Sequence, residues 1–199
     1  MSAAEERAAE GPMMRGYIVQ SCVAHVDRRY EATAKARIYA ALPADVRARV
    51  GRYNDVEWVP RGHGAAFFRG IALNESGEDA AYRALFDCGR SIADAATHTF
   101  MKLLLKIITP ALFAKKATDF WARDHRGGQL VADPSRLDEN RMLLHLTDVE
   151  GFDFMAPTAA GFFTCTFEAM GKTAVDCKVS GWSMVRPGPR DVTYDLSWK

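Results

Sequence analysis

Residues 191–198 read DVTYDLSW, and this stretch decides how the C-terminal end of the chain folds. Its apolar residues, from Val192 to Trp198, occupy every second position, which is the period of a β-strand with one buried face. Residues 175–180, VDCKVS, alternate in the same way. Between the two stretches lies RPGPR, residues 186–190, whose prolines and glycine favour a reversal of the chain. The pattern therefore predicts two adjacent antiparallel strands, a C-terminal β-hairpin.

Two more strands and a helix are predicted before this hairpin. Residues 142–149, MLLHLTDV, are apolar on both parities at first, which is typical of a central strand covered on both faces. Residues 127–132, GGQLVA, are predicted to pair with that strand. Residues 158–170 are predicted to form a helix, since Pro157 can lie near its start and Gly171 can end it. The C-terminal half is therefore predicted as β-β-α-β-β.

The N-terminal half is predicted to be helical. Ala, Arg and other helix formers are frequent from residue 19 onward, and Pro43 breaks the first helix. The predicted helices are 19–42, 44–53, 63–73, 78–106 and 111–124, with Trp58-Val59-Pro60 as an extended bend between the second and the third. The fold class is thus α+β, with an N-terminal helical layer followed by an antiparallel β-β-α-β-β sheet.

A single domain over residues 13–199 is predicted, preceded by a disordered tail. A length of 199 residues favours one domain. Residues 1–12, MSAAEERAAEGP, are small and charged and lack the apolar run of a secretory leader. The four cysteines form no C-x-x-C pair, so we expect reduced thiols in a cytoplasmic protein.

Charge and hydropathy argue against two classes of partner. The 26 basic and 25 acidic residues leave a formal net charge of +1, so no broad attraction to a phosphate backbone and no nucleic-acid partner is predicted. The most apolar segment, residues 101–114, is shorter than the ~20 residues that a bilayer requires, and Lys102 and Lys106 interrupt it. We predict a core helix there, with a membrane-surface helix as the alternative, and no integral membrane association.

Sequence motifs for metal, nucleotide or nucleophilic chemistry are absent. The five histidines show neither the H-x-x-x-H nor the H-E-x-x-H spacing, so no metal site is predicted. The sequence also lacks a G-x-S-x-G elbow, a P-loop and a G-x-G-x-x-G turn. An enzyme would have to use Cys22 with His25, which are three residues apart, or His98. We predict that the protein is not an enzyme, with no catalytic residue.

Apolar and aromatic side chains are denser on the helices than one thin layer over a small sheet requires. The same residues could simply form the core, or they could form a pocket or a dimer face. Trp121, Trp58 and the pair Gly127-Gly128 are candidates for the rim of such a site, because Trp combines a large apolar area with one hydrogen-bond donor. The residues predicted to line the apolar pocket are Phe67, Phe100, Leu104, Ile107, Phe113 and Trp121.

Several short runs carry a resemblance to known families. They are Ala41-Leu42-Pro43, Trp58-Val59-Pro60, Cys88-Gly89-Arg90, Gly161, Gly181 and the final YDLSW. In this order they resemble a myxobacterial family of paralogous proteins of about this length. Its fold is similar to that of 4-vinyl-reductase domains and TRAPP tethering subunits and, more distantly, to that of heme nitric-oxide/oxygen-binding domains. The resemblance implies small-molecule or acyl-chain sensing in some members and protein tethering in others.

The heme-binding relatives carry a Y-x-S-x-R signature that meets the heme propionates, and this chain departs from it. The corresponding positions are Leu146, Asp148 and Glu150. Glu150 places a negative charge where an arginine would meet a carboxylate, and like charges repel. His98 and His125 are weak candidates for a cofactor ligand, and His125 lies at a helix end, next to Arg126-Gly127-Gly128. No cofactor is therefore predicted.

The leading functional prediction is a non-enzymatic binding or sensory module for a hydrophobic small molecule or a partner protein, acting as a homodimer. The alternative is a protein-interaction scaffold, such as a tethering or signalling subunit, without a ligand. A heme-binding sensor and an enzyme are less favoured alternatives.

Overall fold

A computed structural model describes residues 11–96, 105–149, 154–184 and 191–199. Within these residues the chain forms seven α-helices and two antiparallel sheets, which confirms the predicted α+β class. The helices are α1 (Gly16–Arg29), α2 (Ala32–Ala40), α3 (Ala44–Ala48), α4 (Arg61–Leu73), α5 (Glu78–Ala96), α6 (Pro110–Asp124) and α7 (Met155–Ala169). The strands are β1 (Met13–Arg15), β2 (Trp58–Pro60), β3 (His125–Arg126), β4 (Gln129–Asp133), β5 (Arg141–Thr147), β6 (Asp176–Val179) and β7 (Val192–Ser197), with a 3₁₀ turn at Leu137–Glu139.

The C-terminal sheet has the strand order β4-β5-β7-β6, and every neighbouring pair is antiparallel. Cys177 on β6 lies opposite Leu196 on β7, and Leu144 on β5 lies opposite Tyr194. The predicted pairing of the last two strands is therefore confirmed, as is the pairing of β4 with β5. The predicted reversal at 186–190 lies outside the described residues.

One face of this sheet is buried and the other is half-exposed. Leu144 and Leu146 point into the core, whereas His145 lies on the outer face, with its Nδ1 3.1 Å from Thr193 Oγ1. Arg141 and Asp195 form an ion pair on the same outer face. The prediction that β5 is covered on both faces is wrong, because these polar cross-strand pairs make a surface that water can cover.

Helix α7 packs between the sheet and helix α5. Phe163 meets Tyr194 edge-on with ring centroids 5.2 Å apart, and Phe167 meets Trp198 at 5.1 Å, so one side of α7 covers the sheet. The rest of α7 is almost as apolar, and a helix that is apolar all round is buried on several sides. The second side of α7 lies against α5.

The backbones of α5 and α7 touch at two glycines. A Cβ atom on Gly89 of α5 would lie 1.8 Å from the carbonyl oxygen of Thr158, and one on Gly161 of α7 would lie 2.0 Å from the carbonyl oxygen of Phe86. Real Cβ atoms never approach a backbone so closely. Both positions therefore require glycine, and the two helices pack closer than side chains would allow.

In a second, small sheet, β1 pairs with β2 on one side and with β3, directly after α6, on the other. Its order is β2-β1-β3, with Met13 opposite both Pro60 and Arg126. The extended conformation at 58–60 was predicted, but β1 and β3 were not, since strands of two or three residues are too short to show a period of two. The predicted tail at 1–12 falls mostly outside the described residues.

The predicted N-terminal helices differ from the observed ones in their bounds. The single helix expected over 19–42 is two helices, because Tyr30 is extended (φ −110°, ψ 139°) and its hydroxyl donates to Glu75 at 2.9 Å. The helix expected over 44–53 ends at Ala48. The helix expected over 78–106 is described only to Ala96. The helix expected over 158–170 begins earlier, at Met155.

No helix in the described part of the chain is long and apolar enough to cross a membrane. Cys22, Cys88 and Cys177 are buried and Cys165 is half-buried, all as thiols without a disulfide.

We predict that Gly161→Ala lowers the free energy of unfolding by about 3 kcal/mol, because the new methyl group forces α7 away from Phe86 and opens the packed layer. Gly62→Ala on α4 is the matched control, since a Cβ there meets no atom within 4 Å. The control is expected to be neutral or to stabilise by up to ~1 kcal/mol. Urea unfolding measures both, and equal midpoints for the two variants would contradict the backbone contact.

Candidate functional site

An apolar cavity of about 130 Å³ lies among α1, α5, α6 and α7. Aliphatic side chains such as Ile18 on α1 and Ile92 on α5 close part of it, and β4 contributes Leu130. Most of the remaining wall is aromatic. The aromatic residues are Phe68, Phe113, Phe120, Trp121, Phe162 and Phe163, with Tyr17 and His125 at the polar edge.

Helix α6 supplies one wall, and its sequence explains why. Thr109 caps the helix, with its Oγ1 accepting from the N–H of Leu112 at 3.2 Å, and Pro110 occupies the first helical position. Phe113, Ala117 and Trp121 then recur every fourth residue and form the buried face. Phe113 also stacks on Phe120 with ring centroids 5.7 Å apart.

The end of α6 forms one polar edge of the cavity. The ring of His125 lies flat on that of Trp121, with centroids 3.9 Å apart and planes 14° apart. Arg61 is buried beneath this corner, and its Nη2 donates to the carbonyl oxygens of Arg126 (2.8 Å) and Gly127 (2.6 Å). Gly127 and Gly128 both have positive φ (81° and 74°), a conformation that glycine adopts without strain.

The imidazole of His125 is neutral at physiological pH. Burial, with the charge of Arg61, lowers the pKa of His125 from 6.5 to about 3. Its Nδ1 is buried, and it has no hydrogen-bond partner among the residues that the structure describes. A buried polar atom that lacks a hydrogen bond raises the free energy of the folded state, and Nδ1 of His125 is such an atom.

A second polar edge is formed by Tyr17, Arg123 and Asp124. Arg123 donates to the buried Asp124 at 2.6 Å, and Tyr17 lies close enough to both for their charges to act on its hydroxyl. Burial, with the negative charge of Asp124, raises the pKa of Tyr17 well above its usual value. These three residues also line an open groove on the outside of the protein, together with Arg28 and Asp55. Their side chains therefore lie between the cavity and the groove.

The structure brings only part of the predicted pocket together. Phe113 and Trp121 line the cavity. Phe67 does not, because it packs edge-on against Tyr39 with ring centroids 6.3 Å apart, while its neighbour Phe68 faces the cavity, about 100° around the helix.

Ile107 does not line this cavity, because its side chain is 73% exposed just before α6 begins. Phe100, Leu104 and His98 lie outside the described residues. Trp58, a predicted rim residue, instead contacts the guanidinium groups of Arg15 and Arg126, which lie 4.0 and 4.4 Å from its ring centroid.

Sequence reasoning missed the contributions of α1 and α7. Tyr17 was assigned no role, and Phe162 and Phe163 were treated only as part of a helix. A usable signal existed for α7, because MAPTAAGFFTCTFEA contains no charged residue before Glu168. Such a helix must be buried on several sides, so its paired phenylalanines were candidates for any internal cavity.

The pair Cys22 and His25, the enzyme alternative, has the wrong electrostatics for a nucleophile. Burial and the neighbouring thiol of Cys88 raise the pKa of Cys22 well above its usual value, so the reactive thiolate is disfavoured. His25 Nδ1 lies 2.9 Å from Ser91 Oγ, and burial lowers the pKa of His25 to about 4. Within the described residues no cluster of three or more His, Cys, Asp and Glu could hold a metal ion.

No protein-family model matches the sequence, and no curated protein matches it. Solved structures of H-NOX proteins do match its fold. A mutant H-NOX protein from K. algicida, in the Fe(II) unliganded state, has a TM-score of 0.68 and 12% identity over 94% of this chain and 97% of its own. The H-NOX protein from S. oneidensis, in the Fe(II)NO state, has a TM-score of 0.66 and 11% identity over 94% and 99%. An oxygen-binding H-NOX domain related to soluble guanylate cyclases has a TM-score of 0.59 and 11% identity over 94% and 95%.

The chain therefore has an H-NOX-like fold. This agrees with the resemblance to heme nitric-oxide/oxygen-binding domains that the sequence suggested. The resemblance to 4-vinyl-reductase domains, TRAPP subunits and the myxobacterial family stays a prediction. At these low identities the likeness concerns the fold alone.

The described residues do not fit a heme. The cavity holds about 130 Å³, whereas pockets for drug-sized ligands measure roughly 300–1,000 Å³. His125 lines the cavity, but the Trp121 ring covers one face of its imidazole. Leu146 is fully buried in the sheet, opposite Leu130, and offers no polar group to a propionate.

We predict that His125 stays neutral down to about pH 4. Its folded pKa lies below its unfolded value, so between about pH 3 and 6.5 the unfolded state binds a proton that the folded state does not. Acidification through this window therefore destabilises the fold, by up to about 1.4 kcal/mol per pH unit from this group. Histidine ring NMR checks it, with the urea-unfolded chain as control. A folded-state midpoint near 6.5 for His125 would refute the burial argument.

Proposed function

We propose that this protein is a non-enzymatic binding module that takes a small apolar molecule into the cavity among α1, α5, α6 and α7. The observation that carries the proposal is the cavity itself, about 130 Å³ in volume and walled largely by aromatic side chains. An engineered cavity of ~150 Å³ with a similar apolar lining stays dry and binds benzene or xenon. The volume thus favours a ligand of about one aromatic ring, smaller than an acyl chain or a porphyrin.

The fold supports a sensory or ligand-binding role. The matching structures are of H-NOX proteins in the Fe(II) unliganded state, in the Fe(II)NO state and as an oxygen complex. A ligand-binding role for this chain would place a different molecule inside the same fold, since the described residues do not fit a heme.

The titration of the polar residues at the cavity favours binding over catalysis. General acid–base catalysis works best with a pKa near the operating pH. Here burial raises the pKa of Tyr17 well above its usual value and lowers that of His125 to about 3. Both groups are therefore neutral under physiological conditions, Tyr17 because it keeps its proton and His125 because it does not take up a second one, and neutral groups suit hydrogen bonding to a ligand.

We predict that benzene raises the melting temperature of the wild-type protein and that Ala159→Phe abolishes this shift. Ala159 on α7 lines the cavity, so a phenyl ring at this position occupies the ligand's space. Ala169→Phe is the matched control, because Ala169 is half-buried on the same helix and does not line the cavity. Thermal unfolding against benzene concentration measures the linkage. The proposal fails if the wild type shows no shift, or if both variants keep it.

The second candidate is an interaction module without a ligand, acting as a homodimer. Exposed aliphatic side chains favour it: Ile107 is 73% exposed and Leu112, on the first turn of α6, is 44% exposed. Isolated exposed aliphatics are common, so the test is the assembly itself.

For this candidate we predict that Ile107→Ser with Leu112→Ser converts a dimer to a monomer in native mass spectrometry, because the change removes apolar area from the interface. Leu73→Ser, at a residue 59% exposed on α4, is the control and leaves the dimer intact. A wild-type protein that is already monomeric would eliminate the homodimer. The same spectra show any ligand that co-purifies.

A further inference from the structure

The turn that precedes α6 carries charge of one sign. Between Asp94 and Asp119 the sequence contains four lysines and no acidic residue. The described part of this stretch, residues 105–118, forms the turn and the first half of α6. A segment with one sign of charge is attracted to a partner of the opposite sign, so the outward side of the turn is a candidate interaction surface.

The inner side of the turn is fixed to the core. Thr109 caps α6, and Ile108 and Phe113 occupy the two positions of a hydrophobic staple, one residue before the cap and four residues after it. Both line the cavity, as does Leu105. Because these side chains anchor the turn from within, its other side chains are presented to the outside.

The outer side of the turn combines apolar and basic side chains. Ile107 is mostly exposed, and Leu112, in the first turn of α6, is nearly half exposed. Lys106 directly precedes Ile107, and Lys115 and Lys116 follow Leu112 by three and four residues, so both are its neighbours on the helix surface. These five residues are called the basic-apolar turn below.

Two of the three lysines are available to an external anion. Lys116 pairs with Asp119 at 2.8 Å. Lys106 and Lys115 are exposed, and neither forms an ion pair with any residue that the structure describes. An anionic surface close to them would therefore not have to compete with a carboxylate of the protein.

We propose that the basic-apolar turn docks this protein reversibly on the surface of a membrane that contains anionic lipids. Ile107 and Leu112 enter the boundary between headgroups and acyl chains, while the lysine ammonium groups stay at the level of the lipid phosphates and carboxylates. Two aliphatic side chains and a few charges are too little for permanent anchoring, so the association is reversible. The inference goes beyond the proposed function and does not depend on a cavity ligand.

The order of charge and apolar area favours a lipid surface over other partners. A second copy placed against the same turn by a two-fold axis would bring like charges together, which repel. A soluble polyanion would pair with the lysines but would offer no apolar layer to Ile107 and Leu112. An anionic bilayer offers a charged layer directly above an apolar one, and the turn carries side chains suited to both.

Sedimentation of the full chain with lipid vesicles tests the inference. We expect the wild-type protein to bind vesicles that mix phosphatidylserine with phosphatidylcholine, and to bind vesicles of phosphatidylcholine alone about tenfold more weakly or less. High salt is expected to release most of the bound protein, because it screens exposed charges.

A pair of double variants tests the contribution of charge. Lys106→Gln with Lys115→Gln removes two charges, each of which changes the affinity about fivefold, so the combined loss is about twentyfold. Arg52→Gln with Lys178→Gln is the matched control, since it removes the same charge from exposed residues outside the turn. The control is expected to change the affinity by less than about threefold, because charges far from the contact are screened.

A second pair of double variants tests the apolar contribution. Ile107→Ser with Leu112→Ser removes the two exposed aliphatic side chains, and we expect the affinity for anionic vesicles to fall about tenfold or more. Leu73→Ser with Val131→Ser is the matched control, because both residues are exposed aliphatics outside the turn, and it is expected to bind like the wild type.

The inference is overturned if the wild type binds neither kind of vesicle, or binds both equally. It is also overturned if a variant of the turn and its control lose the same affinity, since the membrane contact would then lie elsewhere. Binding to polyglutamate as tight as to anionic vesicles would identify an acidic chain as the partner and reject the membrane. The benzene titration is independent of all these results, so the proposed function stands or falls separately.

Discussion

The contact between the backbones of α5 and α7 is the constraint on which the rest of the structure depends. Gly89 and Gly161 allow the two helices to approach until each would-be Cβ lies about 2 Å from a carbonyl oxygen of the other helix. With α5 so close on one side, α7 presses its phenylalanines against Tyr194 and Trp198 of the sheet on the other. The layer is thereby fixed in thickness. The cavity lies beside this layer, at its junction with α1 and α6.

The site depends equally on how α6 ends. The helix gives way directly to β3, which pairs with β1, so the N-terminal segment fixes the position of His125. Arg61 reinforces this corner, because its guanidinium ties down two carbonyl oxygens after the helix. The fold therefore holds an uncharged imidazole against an apolar cavity by means of three separate parts of the chain. These contacts restrict the imidazole before a ligand arrives, and a wall that is already ordered lowers the entropic cost of binding.

The sequence was informative where a residue's role follows from local periodicity. Val192 to Trp198 and the alternation around Cys177 predicted the paired strands, because a half-buried strand repeats every two residues. Periodicity could not show that Phe68 rather than Phe67 faces the cavity, or that Tyr17 and Phe162 meet across it, since these contacts join residues far apart in the chain. Nor could periodicity show that Ile107 is exposed, since an apolar residue beside a helix start is buried only if another element covers it, and none of the described elements does.

The cluster of Tyr17, Arg123 and Asp124 has a kinetic consequence. It lies between the cavity and the outer groove, so passage on that side requires the Arg123–Asp124 ion pair and the Tyr17 ring to move aside. The affinity of a bound molecule would then be set mainly by the aromatic wall, while its residence time would be set by how readily this ion-paired cluster opens. A substitution that loosens this cluster would raise the association and dissociation rate constants together and would leave the dissociation constant nearly unchanged. The rates of binding and release would therefore depend on the cluster, and the choice of ligand would depend on the aromatic wall.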